Sequence, residues 1–419
     1  MSNGFTLAFL ALLGAGTLLR LWLAARQIRH VRAHRDRVPE AFADRIDLAD
    51  HQRAADYTLA RTRLGRWELL YDALLLLGWT LGGGLNLLDA AWRDLHWGPV
   101  ATGTGVLLSA FLLMALLDLP FSLYATFGIE QRFGFNRTRP ATFAGDLLKQ
   151  MLLTLALGGP LIALVLWLMQ VTGRYWWLWV WGVWTGFSLL MMWAYPAFIA
   201  PLFNRFTPLE DAGLRERIER LLARCGFTSR GIFVMDGSRR SGHGNAYFTG
   251  LGRNKRIVFF DTLLDSLEPD QIEAVLAHEL GHFKRHHIRK RLITTALLSL
   301  VALAVLGWLI RNPAFFQGLG VAHPSNHMGL LLFLLLAPVA GVFLQPLASF
   351  VSRRHEFEAD EFAARQTDAR HLIEALVRLY RENASSLTPD PLYSAFHDSH
   401  PPAPVRVGHL HRLLQAGGT

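Results

Sequence analysis

The sequence of 419 residues has a single cysteine, Cys225, which excludes any disulfide bond within the chain. It also has few charged residues for a water-soluble protein: they make up 18% of the chain, hydrophobic residues make up 52%, and the mean hydropathy is +0.24. Acidic residues are outnumbered, with 33 Asp and Glu against 42 Lys and Arg. Because the arginines border apolar runs, membrane topology explains this imbalance better than nucleic acid, which we do not expect as a partner.

The N-terminus lacks the features of a signal peptide. Its first apolar run, at about residues 5–25, has no basic stretch before it and no small-residue cleavage site after it, so we interpret it as a retained span. Further runs have the roughly 20 apolar residues that a bilayer requires. They lie at residues 69–88, 100–123, 147–171, 175–199, 292–310 and 328–350. The sequence therefore predicts a mainly α-helical, polytopic membrane protein with seven transmembrane helices.

Basic residues alternate between the loops that join these runs. Residues 26–66 carry ten arginines and residues 201–291 are again basic, whereas residues 312–327 contain neither Lys nor Arg. The positive-inside rule then predicts an N-terminus outside and a C-terminus in the cytoplasm. The high content of Ala, Leu and Arg favours a bacterial inner membrane.

The predicted spans divide the chain into four parts. Residues 1–200 hold spans one to five with their loops, and residues 201–291 form a cytoplasmic insert. Residues 292–350 hold spans six and seven, and residues 351–419 form a cytoplasmic C-terminal part. Three short β-branched and aromatic runs in the insert predict strands. They lie at residues 231–235, 246–249 and 256–260, and the glycine-rich turn between the last two lies at residues 250–254. We expect a small α+β domain on the cytoplasmic side.

One motif in the insert indicates chemistry: His278-Glu279-Leu280-Gly281-His282. It lies in a segment with helical periodicity, so the two imidazoles lie one turn apart on one helix face. Two neutral histidine nitrogens so placed suit one Zn²⁺ ion. Glu279 can accept a proton from water whose pKa the metal has lowered. The motif predicts peptide-bond hydrolysis, although two solvated histidines on a surface helix would give the same pattern.

A third histidine at the spacing of the longer zinc motif is absent, because position 285 is Arg and position 288 is Ile. His286 lies one turn past His282, but three ligands in line on one straight helix cannot surround one ion. We therefore expect His286 to be solvated or to support a ligand from outside.

Glu356 is the better candidate for the third ligand, because it follows the last predicted span. The last two spans are joined by a short loop and should be antiparallel neighbours, which brings Glu356 to the side of the histidine motif. Asp360, one turn later, would orient a histidine ligand through its other ring nitrogen. The alternative is a solvated acidic helix face, which is the interpretation we favour for Glu358 and Glu361.

The sequence resembles the type I CAAX prenyl proteases, integral-membrane zinc endopeptidases of the Glu-zincin type. The resemblance spans most of the chain and rests on separated segments in the same order, at residues 128–136, 236–250, 278–282, 353–360 and 399–402. It implies a ring of seven transmembrane helices around a large water-filled chamber, with one zinc ion at its cytoplasmic end. It also implies a peptide or protein substrate, prenylated or membrane-associated, from which a C-terminal tripeptide is removed.

The resemblance also implies a role for individual residues. The zinc ligands would be His278, His282 and Glu356, and the general base would be Glu279. Asn245 and His400 correspond to polar residues near the reacting carbonyl, where they would stabilise an oxyanion. Arg406 matches an arginine near the site. Taken alone, Asn245 resembles a turn residue and residues 399–402 resemble a rigid loop.

Two other functions are compatible with the sequence. A quality-control protease for damaged membrane proteins would share the zinc site and differ in substrate, and bacteria generally lack prenylated CAAX proteins of their own. An inactive scaffold or transporter with a vestigial metal site would suit the intramembrane charges Arg20 and Asp118. Such a protein has no use for Glu279, so we favour the enzyme.

Overall fold

The computed structural model describes residues 3–249 and 255–417 of the chain. The helices of the first half are α1 Gly4–Ala33, α2 Leu48–Trp79, α3 Gly84–Arg93, α4 Pro99–Leu117, α5 Leu119–Leu123, α6 Pro140–Leu153, α7 Gly159–Val171, α8 Trp176–Ala194 and α9 Ala200–Phe203. The next elements are β1 Phe206–Pro208, α10 Ala212–Cys225, β2 Ser229–Met235, β3 Ala246–Thr249, β4 Lys255–Phe260, α11 Asp261–Ser266 and α12 Pro269–Lys284. The last helices are α13 His287–Leu309, α14 Pro313–Gly318, α15 Asn326–Gly341, α16 Gln345–Gln366, α17 Ala369–Glu382, α18 Pro391–His397 and α19 Ala403–Gly417.

Among the described residues, six helical segments are long and apolar enough to cross a membrane, and a seventh is added if the bent pair α2 and α3 forms one span. The mainly helical membrane fold is thus confirmed. The predicted span at residues 69–88 differs from the structure, because α2 ends at Trp79 and the two helices meet at 49°. Gly83 makes this break, since its φ of +82° lies in the left-handed region that favours glycine.

The two ends of α1 contact different parts of the chain. At its beginning, the Asn3 side chain donates to the carbonyl oxygen of Ala314 in α14 over 2.7 Å. At its end, the Arg26 guanidinium pairs with the buried Asp390 carboxylate at 3.0 Å, and the backbone N–H of Asp390 donates to the Gln27 side chain over 2.6 Å. The C-terminal part of the chain is therefore anchored to the end of the first membrane helix.

A four-stranded sheet lies beside the histidine motif, with strand order β1-β2-β4-β3. Strands β2 and β4 are parallel, with Val234 opposite Phe259, and the other two pairs are antiparallel. The three predicted strands correspond to β2, β3 and β4, while the predicted turn at residues 250–254 lies outside the described residues. Strand β1 was not predicted, because three residues carry too short a pattern to recognise.

Helix α12 is buried between the sheet and the C-terminal helices. Its apolar side joins a core that includes Ile257, Phe259, Leu276 and Leu280. On another side α12 packs tightly on α16. The closeness of this contact is shown by Gly281, where an added Cβ would lie only 2.9 Å from the Ala359 Cα. Because Gly281 has no side chain, the backbones of α12 and α16 can approach each other closely. This close approach brings the candidate ligands on the two helices together.

Candidate metal centre

The structure brings His278, His282 and Glu356 together at the contact between α12 and α16. The two Nε2 atoms face each other at 3.2 Å, and the Glu356 carboxylate lies 3.4 Å from His278 Nε2 and 3.3 Å from His282 Nε2. The three candidate ligand atoms all lie within 4.8 Å of one another. Two nitrogens bound at about 2.0 Å to one tetrahedral zinc ion lie roughly 3.3 Å apart, so the histidine spacing fits this ion.

The carboxylate of Glu356 provides an independent test of that fit. Its Oε2 atom is buried and has no hydrogen-bond partner among the described residues. A buried carboxylate oxygen without a hydrogen bond is costly, because the longer contacts with neighbouring charges only partly replace its hydration. A cation bound between Glu356 and the two imidazoles would remove this cost, so the residues present fit a divalent metal of the zinc type.

Asp360, for which the sequence suggested an orienting role, contacts the ring nitrogen of His278 that lies away from Glu356. This Nδ1 atom lies 2.8 Å from Asp360 Oδ1, whereas the Arg406 guanidinium is 3.3 Å from the same nitrogen. Because Arg406 only donates, we assign the proton of Nδ1 to the shorter contact with Asp360. Burial favours neutral His278, but the contacts with the Asp360 and Glu356 carboxylates outweigh it and raise the pKa of His278 to about 9. A metal ion competes with that proton, so metal binding weakens as the pH falls.

His282 is oriented by a second chain of hydrogen bonds, which the sequence did not predict. Its Nδ1 atom lies 3.0 Å from His287 Nδ1, and His287 Nε2 lies 3.1 Å from Glu358 Oε2. Glu358 can only accept when ionised, so His287 donates to Glu358 and accepts from His282. This assignment leaves the Nε2 lone pair of His282 directed at Glu356 and the metal position.

Helical spacing could not have identified His287, because a residue five positions after His282 lies on another helix face. His286 has a φ of +60°, and this left-handed conformation changes the direction of the chain between α12 and α13. The change of direction brings His287 to His282. His286 itself is exposed, in line with the expectation that it is solvated. The interpretation of Glu358 as a solvated residue differs from the structure, since Glu358 also pairs with Arg354 at 3.4 Å.

Glu279 lies between the two histidines on α12 and is half-buried. No hydrogen bond or ion pair engages its carboxylate within the described part of the chain. It differs in this respect from Glu356 and Asp360, which are both held by arginine and histidine side chains. A carboxylate left free beside a metal position is available to exchange a proton with water.

Arg406 is buried beside the candidate ligands. Its Nε and Nη2 atoms contact the two oxygens of Asp360 at 3.0 Å and 2.5 Å, and its Nη1 atom lies 3.6 Å from Glu356 Oε2. Burial opposes its charge, but Asp360 and Glu356 raise the pKa of Arg406 above its ordinary value. Arg406 therefore supplies a fixed positive charge that holds both carboxylates in place.

A cavity of about 970 Å³ opens beside this centre and continues between the membrane helices. Asn245, His400 and Arg406 line it near the centre, and Arg20 and Asp72 line it farther along α1 and α2. A smaller cavity of about 250 Å³ shares Arg20 and Asp72 as walls. We call the two cavities together the chamber, because they share these walls and extend from the metal centre into the membrane part of the chain.

Asn245 and His400 approach the centre from two loops. Asn245 precedes the edge strand β3 and is exposed to the cavity. His400 Nε2 lies 3.4 Å from Glu356 Oε1, although 62% of the His400 side chain is exposed. Enclosure by the cavity walls lowers the pKa of His400, so its imidazole is mostly neutral at pH 7. Both side chains can donate a hydrogen bond into the cavity.

The chain is similar to known proteins along nearly all of its length. Residues 27–205 match the family described as CAAX prenyl protease N-terminal, five membrane helices, and residues 208–414 match peptidase family M48. The CAAX prenyl protease 1 homolog of Arabidopsis thaliana is 43% identical over 299 residues, which are 70% of this chain and 69% of that protein. The Caenorhabditis elegans homolog is 32% identical over 97% of this chain and 98% of its own length.

A solved structure has the same fold. The crystal structure of S. mikatae Ste24p superposes with a TM-score of 0.92 and 32% sequence identity. The match covers 98% of this chain and all of that one. Both the membrane helices and the metal-centre helices therefore have counterparts in a solved structure.

Proposed function

The chain belongs to peptidase family M48, in its CAAX prenyl protease branch, and from this premise we propose a catalytic role for each residue of the centre. The protein is an integral-membrane metalloprotease that hydrolyses peptide bonds. We assign zinc as its metal, His278, His282 and Glu356 as the ligands, and Glu279 as the general base. The observation that carries this assignment is the buried Glu356 carboxylate, whose two oxygens each face one imidazole nitrogen and whose Oε2 atom has no hydrogen-bond partner among the described residues.

The bound zinc ion would supply Lewis-acid chemistry, polarising the peptide carbonyl and lowering the pKa of a water molecule. Glu279 accepts a proton from the attacking water and returns it to the leaving nitrogen. Asn245 and neutral His400 donate hydrogen bonds to the carbonyl oxygen as it gains negative charge. Arg406 acts through Asp360 and Glu356, so we assign it a positioning role.

We propose that the substrate is a peptide whose C-terminal end enters the chamber. The relatives are named CAAX prenyl proteases, and the chamber extends from the metal centre to membrane helices α1 and α2, where a membrane-attached substrate can reach it. The basic loops lie at the end of the helices that carries the centre. Under the positive-inside rule this end faces the cytoplasm, and we place the protein in a bacterial inner membrane.

The proposal is tested with the purified full chain and a fluorogenic peptide that ends in a CAAX sequence, in farnesylated and unmodified forms. We expect wild-type protein to release the C-terminal tripeptide. Glu279→Gln keeps the shape of the side chain and removes the base, so we expect kcat to fall by roughly 10²- to 10⁴-fold while the metal content stays at one ion per chain.

Two results would contradict parts of this proposal. Full activity in Glu279→Gln would remove Glu279 from the role of base. Equal kcat/KM for the farnesylated and unmodified peptides would remove prenyl recognition and favour a broader membrane-protein endopeptidase. A scaffold function would require that neither peptide is cut by the wild-type chain.

A further inference from the structure

The loop formed by residues 240–245 ends at Asn245 and has no helix or strand of its own, yet other parts of the chain hold it closely. The Arg240 guanidinium donates to both oxygens of Asp146 on α6, at 2.8 Å and 3.0 Å. The backbone N–H of Gly242 donates to the Phe135 carbonyl oxygen over 2.9 Å. Membrane helix α6 and the connection after α5 thus contact the segment that leads to Asn245.

His243 is the centre of a hydrogen-bond network that immediately precedes Asn245. Its Nδ1 atom lies 3.2 Å from Asn383 Oδ1, and the backbone N–H of Gly244 donates to the same atom over 3.2 Å. Because a backbone N–H only donates, the shared atom of Asn383 is the oxygen, and His243 Nδ1 is also a donor. One amide oxygen at the end of α17 therefore holds two consecutive residues of the loop.

The other ring nitrogen of His243 faces Glu130. The distance from Nε2 to Glu130 Oε2 is 3.4 Å, and the Tyr57 hydroxyl donates to Glu130 Oε1 over 2.6 Å. Burial alone would raise the pKa of Glu130, but the contacts with His243 and Tyr57 lower it, so Glu130 is ionised. The Phe135 ring stacks on the imidazole with centroids 4.3 Å apart. The ring of His243 is thus fixed in position and in orientation.

We propose that His243, held between Glu130 and Asn383, is a positioning residue that fixes Asn245 at the wall of the reaction cavity. The network joins three elements: membrane helix α2 through Tyr57, the segment before α6 through Glu130, and α17 through Asn383. Tyr57, Asn383 and Asn245 all line the same cavity, so the network forms part of the wall that a substrate meets. This inference rests on the role proposed above for Asn245 at the reacting carbonyl.

The first experiment measures kcat and KM for peptide hydrolysis by the full chain. His243→Ala and Glu130→Ala are each expected to lower kcat about 10- to 100-fold and to change KM less than about threefold, because a displaced Asn245 loses a contact made in the transition state. Glu130→Gln keeps an oxygen that can accept from Tyr57 and an amide group of the same length that can face His243 Nε2, so it should restore most of the rate. A loss in Glu130→Gln as large as in Glu130→Ala would contradict positioning by the network.

The second experiment asks whether His243 acts through Asn245. His243→Ala added to Asn245→Ala is expected to cause no further loss of kcat beyond that of Asn245→Ala alone. Independent, multiplicative losses would overturn the proposal, and so would wild-type kcat in His243→Ala. His371→Ala, at the opposite end of α17 from Asn383, is the matched control and should leave kcat and metal content unchanged.

The two proposals fail in distinguishable ways. If Asn245→Ala alone retains wild-type kcat, then the role assigned to Asn245 is wrong. If Asn245→Ala is slow while His243→Ala is not, then only the positioning role of His243 is wrong. Metal content and the thermal unfolding midpoint, measured for each variant, separate these results from a general loss of folding.

Discussion

The two sides of the proposed reaction site, the metal side and the carbonyl side, are built differently. On the metal side, His278, Glu356 and Asp360 are buried and come from two packed helices, and each candidate ligand contacts another side chain that orients it. On the carbonyl side, Asn245 and His400 come from loops and are exposed to the cavity. Metal binding needs distances that vary little, which packed helices provide. A substrate needs accessible donors, which loops supported from behind provide.

The largest effect is expected from the metal side. Glu356→Ala removes one candidate ligand and the only carboxylate among the described residues that contacts both imidazoles, leaving His278 and His282 as the two remaining candidate ligands. We expect the metal content of the purified protein to fall well below one ion per chain and hydrolysis to become undetectable. Metal analysis by mass spectrometry checks this, and an unchanged metal content would mean that another residue is the third ligand.

The carbonyl side should lose rate without losing metal. Asn245→Ala is expected to lower kcat by roughly 10²- to 10³-fold, because a donor to the developing oxyanion is removed. Metal content should stay equal to that of the wild type. Single-turnover rates at saturating peptide check this, and a change confined to KM would show that Asn245 binds substrate without stabilising the transition state.

A smaller effect is expected one contact away from the metal. His287→Ala removes the acceptor that fixes the tautomer and the ring orientation of His282. We expect the dissociation constant for zinc to rise about 10- to 100-fold. Competition with a coloured chelator measures this constant. An unchanged value would mean that the packing of α12 on α16 orients His282 without help from His287.

The smallest effect should come from the end of the same chain of contacts. Arg354 pairs with Glu358 at 3.4 Å, but 74% of the Arg354 side chain is exposed. Exposed ion pairs of this kind contribute little, so Arg354→Ala should change the zinc dissociation constant less than about twofold. A change as large as that of His287→Ala would show that the charge on Glu358 needs Arg354.

The metal side was predictable from the sequence to the extent that it depends on regular geometry. The histidine pair follows from helical spacing, and Glu356 and Asp360 follow from two antiparallel spans that return the chain to the same end. His287 does not follow, because the left-handed residue His286 redirects it in a way that no periodicity records. The family resemblance, and not the spacing, indicated Asn245, His400 and Arg406.

The membrane part shows the same limit. Hydropathy placed the apolar runs correctly. However, it extended the second predicted span through residues 80–83, although a run of three consecutive glycines begins within that stretch. Mean hydropathy, averaged over a window, does not detect a turn. The turn between α2 and α3 depends on the backbone conformation at Gly83. The supports of the loop at residues 240–245 were equally hidden, because Tyr57, Glu130 and Asn383 are far apart in the sequence.

The contacts between the end of α1 and Asp390 have a consequence for biosynthesis. The segment that carries Arg406 and His400 docks against the first membrane helix, and Glu356 and Asp360 depend on Arg406 for their charge balance. Residue 406 is synthesised after all the membrane helices, so the ion pairs that balance the charges of Glu356 and Asp360 are completed late in the synthesis of the chain.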